Sequence, residues 1–333
     1  MIIRPLHTDT LPMPFDPIYR LAGSWFSPAG PKARLSILIY HRVQAETDPL
    51  FPGEATVASF DRQMAQVSSV FNVLPLPEAV ARLKAGTLPA RAACITFDDG
   101  YADNLTLATP ILQKHGLKAT FFIATAYLNG GRMFNDTVIE AIRRADSEHL
   151  DLRGLDLGEH DVSTLQAKTK AIGHILPIVK YLPLGKREDT VAELAQRVTR
   201  QPLPDNLMMT TEQLKALHAA GMEIGGHTHR HPIIAGLDDA ATRDEIAAGK
   251  AWLETTLSGK VRVFAYPNGR PVSDYRPEQA RIVESLGFEG AVSTQYGVST
   301  RATDPWQLRR FTPGWGGPSR FVPMLINNLR QSD

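Results

Sequence analysis

The sequence is nearly without cysteine. Its single thiol, Cys94, excludes an intrachain disulfide. It lies in the apolar run Ala92-Ala93-Cys94-Ile95, where a small buried strand residue is the first reading and a catalytic thiol the lesser one. No apolar run approaches the roughly 18 residues that a membrane-crossing helix needs. Neither sign of charge dominates: 36 Lys and Arg stand against 35 Asp and Glu, a net charge of +1. No global field therefore argues for nucleic acid or an anionic membrane, and a neutral substrate fits better. The chain opens Met1-Ile2-Ile3-Arg4-Pro5, without a charged head and long apolar stretch, so no secretory signal is read and the cytoplasm is the default expectation. Internal repeats and low-complexity segments are absent too, and nothing in the pattern reveals the oligomeric state.

What is present is an ordinary globular composition: 333 residues with 43% hydrophobic side chains can bury a large core without staples. Residues 1–34 are rich in proline and poor in periodicity, and read as an irregular surface arm. Leu35 to Tyr40 is a buried strand ending at His41. Helices are expected over 57–71 and over 77–85, the latter opening on Pro77 and stopping at Gly86. A strand over 92–97 runs into Asp98-Asp99-Gly100, and a helix broken near Pro110 follows. Ala119 to Ala124 is a further strand. Thr210 and Gln213 form a capping box for a helix over 211–220, and Met222-Glu-Ile-Gly leads as a strand to His227. Helix 239–257, strand 261–266, helix 277–286 and a short strand at 290–292 complete the pattern. Strand and helix alternate, which argues for parallel strands wrapped by helices, in either an open doubly wound sheet or a (β/α) barrel. Residues 130–208 break this rhythm with helical fragments at 135–145 and 187–199 and no convincing strand. They read as a helical insertion, either lining a substrate groove or serving as a cap or contact. The single (β/α) domain then comprises 35–129 and 209–333.

Two motifs carry chemistry, each just after a strand C-terminus, where both architectures place their sites. In Thr96-Phe97-Asp98-Asp99-Gly100 two adjacent carboxylates would repel if dry, and a bound cation removes that cost. Extended backbone turns consecutive side chains apart, so one Asp is free to ligate metal while the other faces substrate. In His227-Thr228-His229-Arg230-His231, imidazoles at i and i+4 share one face if the segment is helical. His227 and His231 are the candidate ligands, and His229 points elsewhere. Two histidines and one carboxylate make the open triad of catalytic zinc, and they also accept cobalt, nickel or iron. The spare Asp is then a base for a metal-activated water.

The ordered pair Thr-Phe-Asp-Asp-Gly and His-Thr-x-x-His resembles the polysaccharide deacetylases, carbohydrate-esterase family four, which includes the nodulation-type chitooligosaccharide deacetylases. The resemblance covers about residues 35–128 and 209–312. It implies a distorted (β/α) barrel of the polysaccharide-deacetylase type and one divalent metal ion, zinc first. The reaction it implies is metal-dependent loss of acetyl from an N-acetylated oligo- or polysaccharide. By that likeness Asp98 is the general base, and Asp99, His227 and His231 bind the metal. The family's third motif matches Phe264-Ala265-Tyr266-Pro267-Asn268-Gly269, with Ala265 where an Arg that orients the base often stands. Arg309-Arg310 is a candidate to replace that Arg in space. The Asn268 amide is the candidate oxyanion donor. Relatives often take their general acid from a late histidine, but no histidine follows Tyr296. His41 is the replacement, as in the branch resembling exopolysaccharide poly-N-acetylglucosamine deacetylases. Tyr101, Tyr266 and Trp315 are candidate substrate contacts, with Trp306 and Asn135-Asp136 weighed beside them. Two other functions stay open: hydrolysis of a small non-sugar amide, and a metal-holding carbohydrate-binding protein without turnover.

Overall fold

The apolar runs line up side by side. In a computed structural model describing residues 16–313 and 318–331, six strands pair in chain order, every pair parallel: β1 (Ser36–Tyr40), β2 (Ala92–Phe97), β3 (Thr120–Ile123), β4 (Glu223–Gly226), β5 (Val263–Ala265) and β6 (Gly290–Val292). The short strand Asn72–Val73 adds to one end of β2. Residues 308–311 span the two outer strands: Leu308 bridges Val292 of β6, and Phe311 bridges Leu38 of β1. The sheet therefore curls around as a distorted (β/α) barrel, one of the two architectures that the alternation allowed.

The helices follow the caps and punctuation in the sequence. They are α1 (Asp16–Phe26), α2 (Val57–Val70), α3 (Leu76–Ala85), α4 (Thr109–Lys114), α5 (Phe134–Arg143), α6 (Leu165–Lys180), α7 (Leu184–Val198), α8 (Thr211–Ala219), α9 (Asp239–Leu257), α10 (Pro277–Ser285) and α11 (Pro318–Asn328). The Thr210 side chain accepts from the Gln213 N–H, and Gln213 caps Thr210 in return, which starts α8. Gly86 ends α3 in the left-handed conformation, at φ 68°. Pro110 sits in the first turn of α4, behind a π-type turn at Asn104–Ala108, so the helix is broken at its start as its proline requires.

Three expectations need correction. Residues 16–26 are a helix, not irregular arm, because Ala22 and Phe26 find the core. Residues 130–208 contain an antiparallel ribbon, His149–Asp151 with Glu159–Asp161, in addition to their helices. They also hold α6, which Gly173 and Pro177 disguise; Thr164 caps it by accepting from the Ala167 N–H. The third concerns His227 to His231, which is a loop and not a helical turn, with Thr228 at φ 63° and His231 at φ 53°.

Strand alternation sorts the core into two faces. Tyr40, Phe97 and Phe121, in register across β1, β2 and β3, stack at 5.4 and 4.8 Å and face the helical layer with Phe60 of α2. Ile37, Cys94, Phe122, Ala265, Val292 and Leu308 belong to a separate cluster that α3 joins with Leu76, Ala79, Val80 and Leu83. Cys94 is thus a packing residue, and burial raises its thiol pKa far above the usual range. Continuing its alternation, Thr96 and Asp98 follow Cys94 on the inner face, and Asp98 emerges at the C-terminal rim of the strands.

Helix α9 approaches the histidine loop so closely that a Cβ on Gly249 would lie 2.7 Å from the Thr228 carbonyl oxygen. An alanine in mid-helix ordinarily gains about 1 kcal/mol over glycine. Here overpacking should reverse the sign, and we expect Gly249→Ala to lower stability by about 1–3 kcal/mol, read from urea unfolding.

Candidate active site

Asp98, Asp99, His227, His231, Asn268 and His41 converge on one cavity of about 630 Å³ at the C-terminal ends of the strands. Asp99 lies two residues past the end of β2, and its φ of 76° turns its carboxylate away from the extended path. The glycines of β4 let the histidines in. A Cβ on Gly225 would lie 2.4 Å from the Phe122 ring, so only glycine allows β4 to pack there and deliver His227 to the rim.

The candidate ligand atoms of Asp99, His227 and His231 all lie within 4.8 Å of one another, and all three residues are buried. Asp99 Oδ1 is 3.4 Å from His227 Nε2 and 3.5 Å from His231 Nε2. Two ligands about 2.0–2.1 Å from a tetrahedral ion stand about 3.3–3.4 Å apart, so these separations fit one zinc-sized cation. His227 Nδ1 donates to the Ala265 carbonyl at 2.7 Å, which fixes the ring with Nε2 toward Asp99. That carbonyl acts from the position where relatives often place an Arg side chain.

The electrostatics suit a cation. Burial pushes the Asp99 carboxyl up, but contact with His227 and the nearby rings of His231 and His41 outweigh it and hold the group below the usual carboxylate range. Burial and the charge of His227 push His231 down to about 3, so it stays a neutral imidazole, the form that ligates metal. His227 is also opposed by burial, but contact with Asp99 and the carboxylates of Asp98 and Asp99 raise it. The negative charge that attracts a proton there is the charge a divalent ion would meet.

Asp98 makes a different set of contacts. Arg310, fully buried, donates through both terminal nitrogens to its two oxygens, at 2.7 and 2.8 Å. Its Nε donates to the Ser293 carbonyl, and one terminal nitrogen also reaches Thr96 Oγ1. Burial raises Asp98, yet the charge of Arg310 wins and the carboxyl is held below its usual range. The arginine absent at Ala265 is therefore supplied in space by Arg310, on the segment between β6 and β1. Arg309 stays apart from the pair.

The remaining candidates divide. His41 is exposed at the cavity rim, close enough to act electrostatically on both Asp98 and Asp99. Asn268 adopts φ 57°, and among the described residues its backbone N–H has no hydrogen-bond partner. Its side-chain Nδ2 is buried and unpartnered. His229 turns away to Thr125, at 2.9 Å. Tyr101 is not a cavity residue: it is buried, donates its hydroxyl to Asp136 at 3.0 Å, and lies under Arg42. Tyr266 is core as well, stacked on Tyr275 at 3.8 Å and donating to the Trp306 carbonyl. Trp306 donates to the Phe288 carbonyl, and Trp315 lies outside the described residues. Of the pair weighed beside them, Asn135 lines the cavity and Asp136 holds Tyr101.

The insertion is part of the site. Phe134, Asn135, Leu176, Pro177, Lys180 and Tyr181 form one wall of the cavity. Arg187 of α7 is 1% exposed and donates to the carbonyls of Arg230 and His231, fastening the histidine loop from outside. No pattern in the sequence marks this arginine among its exposed neighbours.

Comparison with known proteins agrees. The model of the polysaccharide deacetylase family matches residues 85–291, more than half of the chain. The chain belongs to the polysaccharide deacetylase family. YxkH of Bacillus subtilis, named as a polysaccharide deacetylase, is 24% identical over 299 residues, covering 89% of this chain and 77% of that protein. The fold is similar to that of the deacetylase PplD of Streptococcus pyogenes, solved with acetate, at TM-score 0.60 and 19% identity over 88% of this chain and 98% of that one. It is also similar to IcaB of Ammonifex degensii, at TM-score 0.56 and 17% identity over 92% and 99%.

The Asp98–Arg310 pair generates a stability test. A carboxyl whose pKa is lowered on folding adds stability that is present above its unfolded value and lost as pH falls through the folded one. At pH 7 we expect Arg310→Met to cost about 3–5 kcal/mol by stranding a buried charge, and Arg310→Met with Asp98→Asn to recover most of it. Urea unfolding of the two variants measures both.

Proposed function

We propose that this deacetylase removes acetyl groups from N-acetylated sugars in a polysaccharide or its precursor, using one divalent cation held by Asp99, His227 and His231. The observation that carries the reading is the pairing of a compact two-histidine, one-carboxylate cluster with a second carboxylate, Asp98, that no ligand geometry requires. A structural metal site has no use for a spare base kept ionised by a buried arginine. A divalent cation in that cluster supplies Lewis acidity, lowering the pKa of water and polarising the acetamide carbonyl.

The chain's own residues account for the proton movements. Asp98 accepts a proton from the attacking water, and Arg310 keeps it ionised and fixes its plane. As the water oxygen bonds to the carbonyl carbon, negative charge grows on the carbonyl oxygen. The unoccupied Asn268 N–H, pointed by a left-handed backbone, donates to it. The carbon–nitrogen bond then breaks. An amine anion is a very poor leaving group, so His41 at the rim delivers a proton to the nitrogen. Acetate and a free amino sugar leave. Zinc suits the ligand set best, and cobalt, nickel and iron also fit it.

Acetate release from N-acetylglucosamine oligomers tests the reading. We expect Asp98→Asn to lower kcat/KM by about 10²–10⁴-fold while retaining metal. His227→Ala should lose metal and activity together, and a chelator should abolish activity in the wild type. Metal retained without acetate release from any amide would favour the carbohydrate-binding alternative. Since Asp98 is held low, the acid limb of kcat/KM should lie below the ordinary aspartate range, and a limb near pH 6 would contradict its role as base.

A further inference from the structure

The cavity extends past the metal cluster to a wall that the two motifs do not explain. Tyr181, the residue after α6, is 52% exposed on this wall and lines the same cavity as Asp98 and Asn268. It is nevertheless held. Its hydroxyl donates to Asp274 at 3.2 Å. Lys180 pairs with the same carboxylate oxygen at 3.2 Å, and its ammonium lies 4.8 Å from the Tyr181 ring centroid. Asp274 is fully buried, and its other oxygen accepts from the Arg270 N–H. One face of the ring is thus covered and its edge pinned, while the side chain as a whole stays half exposed where it lines the cavity. Exposed aromatics without a partner ordinarily rotate or fold down; this one is pre-set, at little further cost in side-chain entropy.

Resting on the deacetylase reading, we propose that Tyr181 is the platform of a second sugar subsite, on which a ring adjacent to the reacting N-acetyl sugar stacks. The substrate is accordingly an oligosaccharide or longer chain. Aromatic faces suit the C–H faces of sugar rings, and the hydroxyl edge remains hydrogen-bonded while the face is used. Asn135, on the same wall, has its Oδ1 buried and unpartnered, an acceptor for a sugar hydroxyl or amide N–H. The cavity of about 630 Å³ lies in the middle of the range of sites that take drug-sized ligands, more room than a single acetamido sugar fills. Asp274 joins this platform to the loop that carries Asn268, so the subsite and the oxyanion donor share one support.

The test compares the N-acetylglucosamine tetramer with the monomer. For Tyr181→Ala we expect KM for the tetramer to rise about tenfold with kcat within twofold, and kinetics on the monomer to be unchanged. Tyr181→Trp, which restores an aromatic face, should bring the tetramer KM back to within threefold of wild type. Equal loss on tetramer and monomer, or an unchanged tetramer KM, overturns the proposal. Tetramer binding to the chelator-treated protein, measured by calorimetry, separates the subsite from catalysis. Binding that weakens about tenfold in Tyr181→Ala supports the subsite even if no acetate is ever released, a result that would sink the deacetylase reading alone. No tetramer binding to either protein overturns the subsite.

Discussion

The site depends on one buried ion pair. Asp98 and Arg310 are almost wholly removed from water, which costs several kcal/mol per charge before any attraction is counted. Two parallel hydrogen bonds, a third to Ser293 and a fourth to Thr96 make the geometry good enough to offset that cost. Such a pair is a poor way to gain stability and a good way to specify structure. It forms only if β2 keeps its register, so that Asp98 falls on the inner face, and only if residues 308–311 lie between β6 and β1. Barrel closure and an ionised carboxylate at the rim are therefore one event.

The chain also departs from relaxed backbone near the pair. Asp99, Thr228, His231 and Asn268 all adopt left-handed conformations, in a protein where most other positive-φ sites of the described residues are glycines or turn residues. Each such residue costs about 1–3 kcal/mol and persists only where the surroundings over-determine it. The surroundings do so here by close packing. Gly225 and Gly249 admit Phe122 and the Thr228 carbonyl at distances that a Cβ would forbid, and the Thr228 hydroxyl accepts from the His231 N–H to lock the loop. These conformations turn ligand and donor groups into the cavity where regular strand ends would splay them.

The strands and the main helices of the barrel were legible because each rests on a local rule: a short apolar run for β2, a capping box for α8, a glycine stop for α3. The candidate metal cluster was legible because its three residues sit in two short motifs. The i and i+4 spacing chose His227 and His231 on the condition of a helical segment; left-handed residues at 228 and 231 bring the rings together without one. Arg310 was reachable only as a candidate, since its use depends on a contact 212 residues away in sequence. Tyr101 and Tyr266 misled because adjacency to a motif says nothing about side-chain direction; each turns its hydroxyl into the protein. Arg187, Lys180 and Tyr181 were illegible for a further reason. They lie on or just past helices whose polar residues look like a solvated face until the insertion is placed against the barrel.

That placement divides the labour of the site. The proposed base, metal ligands and oxyanion donor all come from strand ends, where parallel packing holds them whatever the insertion does. The insertion supplies the opposite wall, and three of its fastenings lie beside the cavity: Asp136 accepts from Tyr101, Arg187 donates to the His231 carbonyl, and Asp274 holds Lys180 and Tyr181. Each of these joins the insertion to a barrel residue within a few positions of a candidate chemical group. Shifts in the insertion would therefore be felt at the cavity wall first, and at the candidate metal ligands through Arg187 and through the Asp136–Tyr101 contact two residues from Asp99. An architecture of this kind permits substrate preference to change over 130–208 while Asp98 and its arginine stay fixed, and it explains why the motifs identify the chemistry so much better than they identify the sugar.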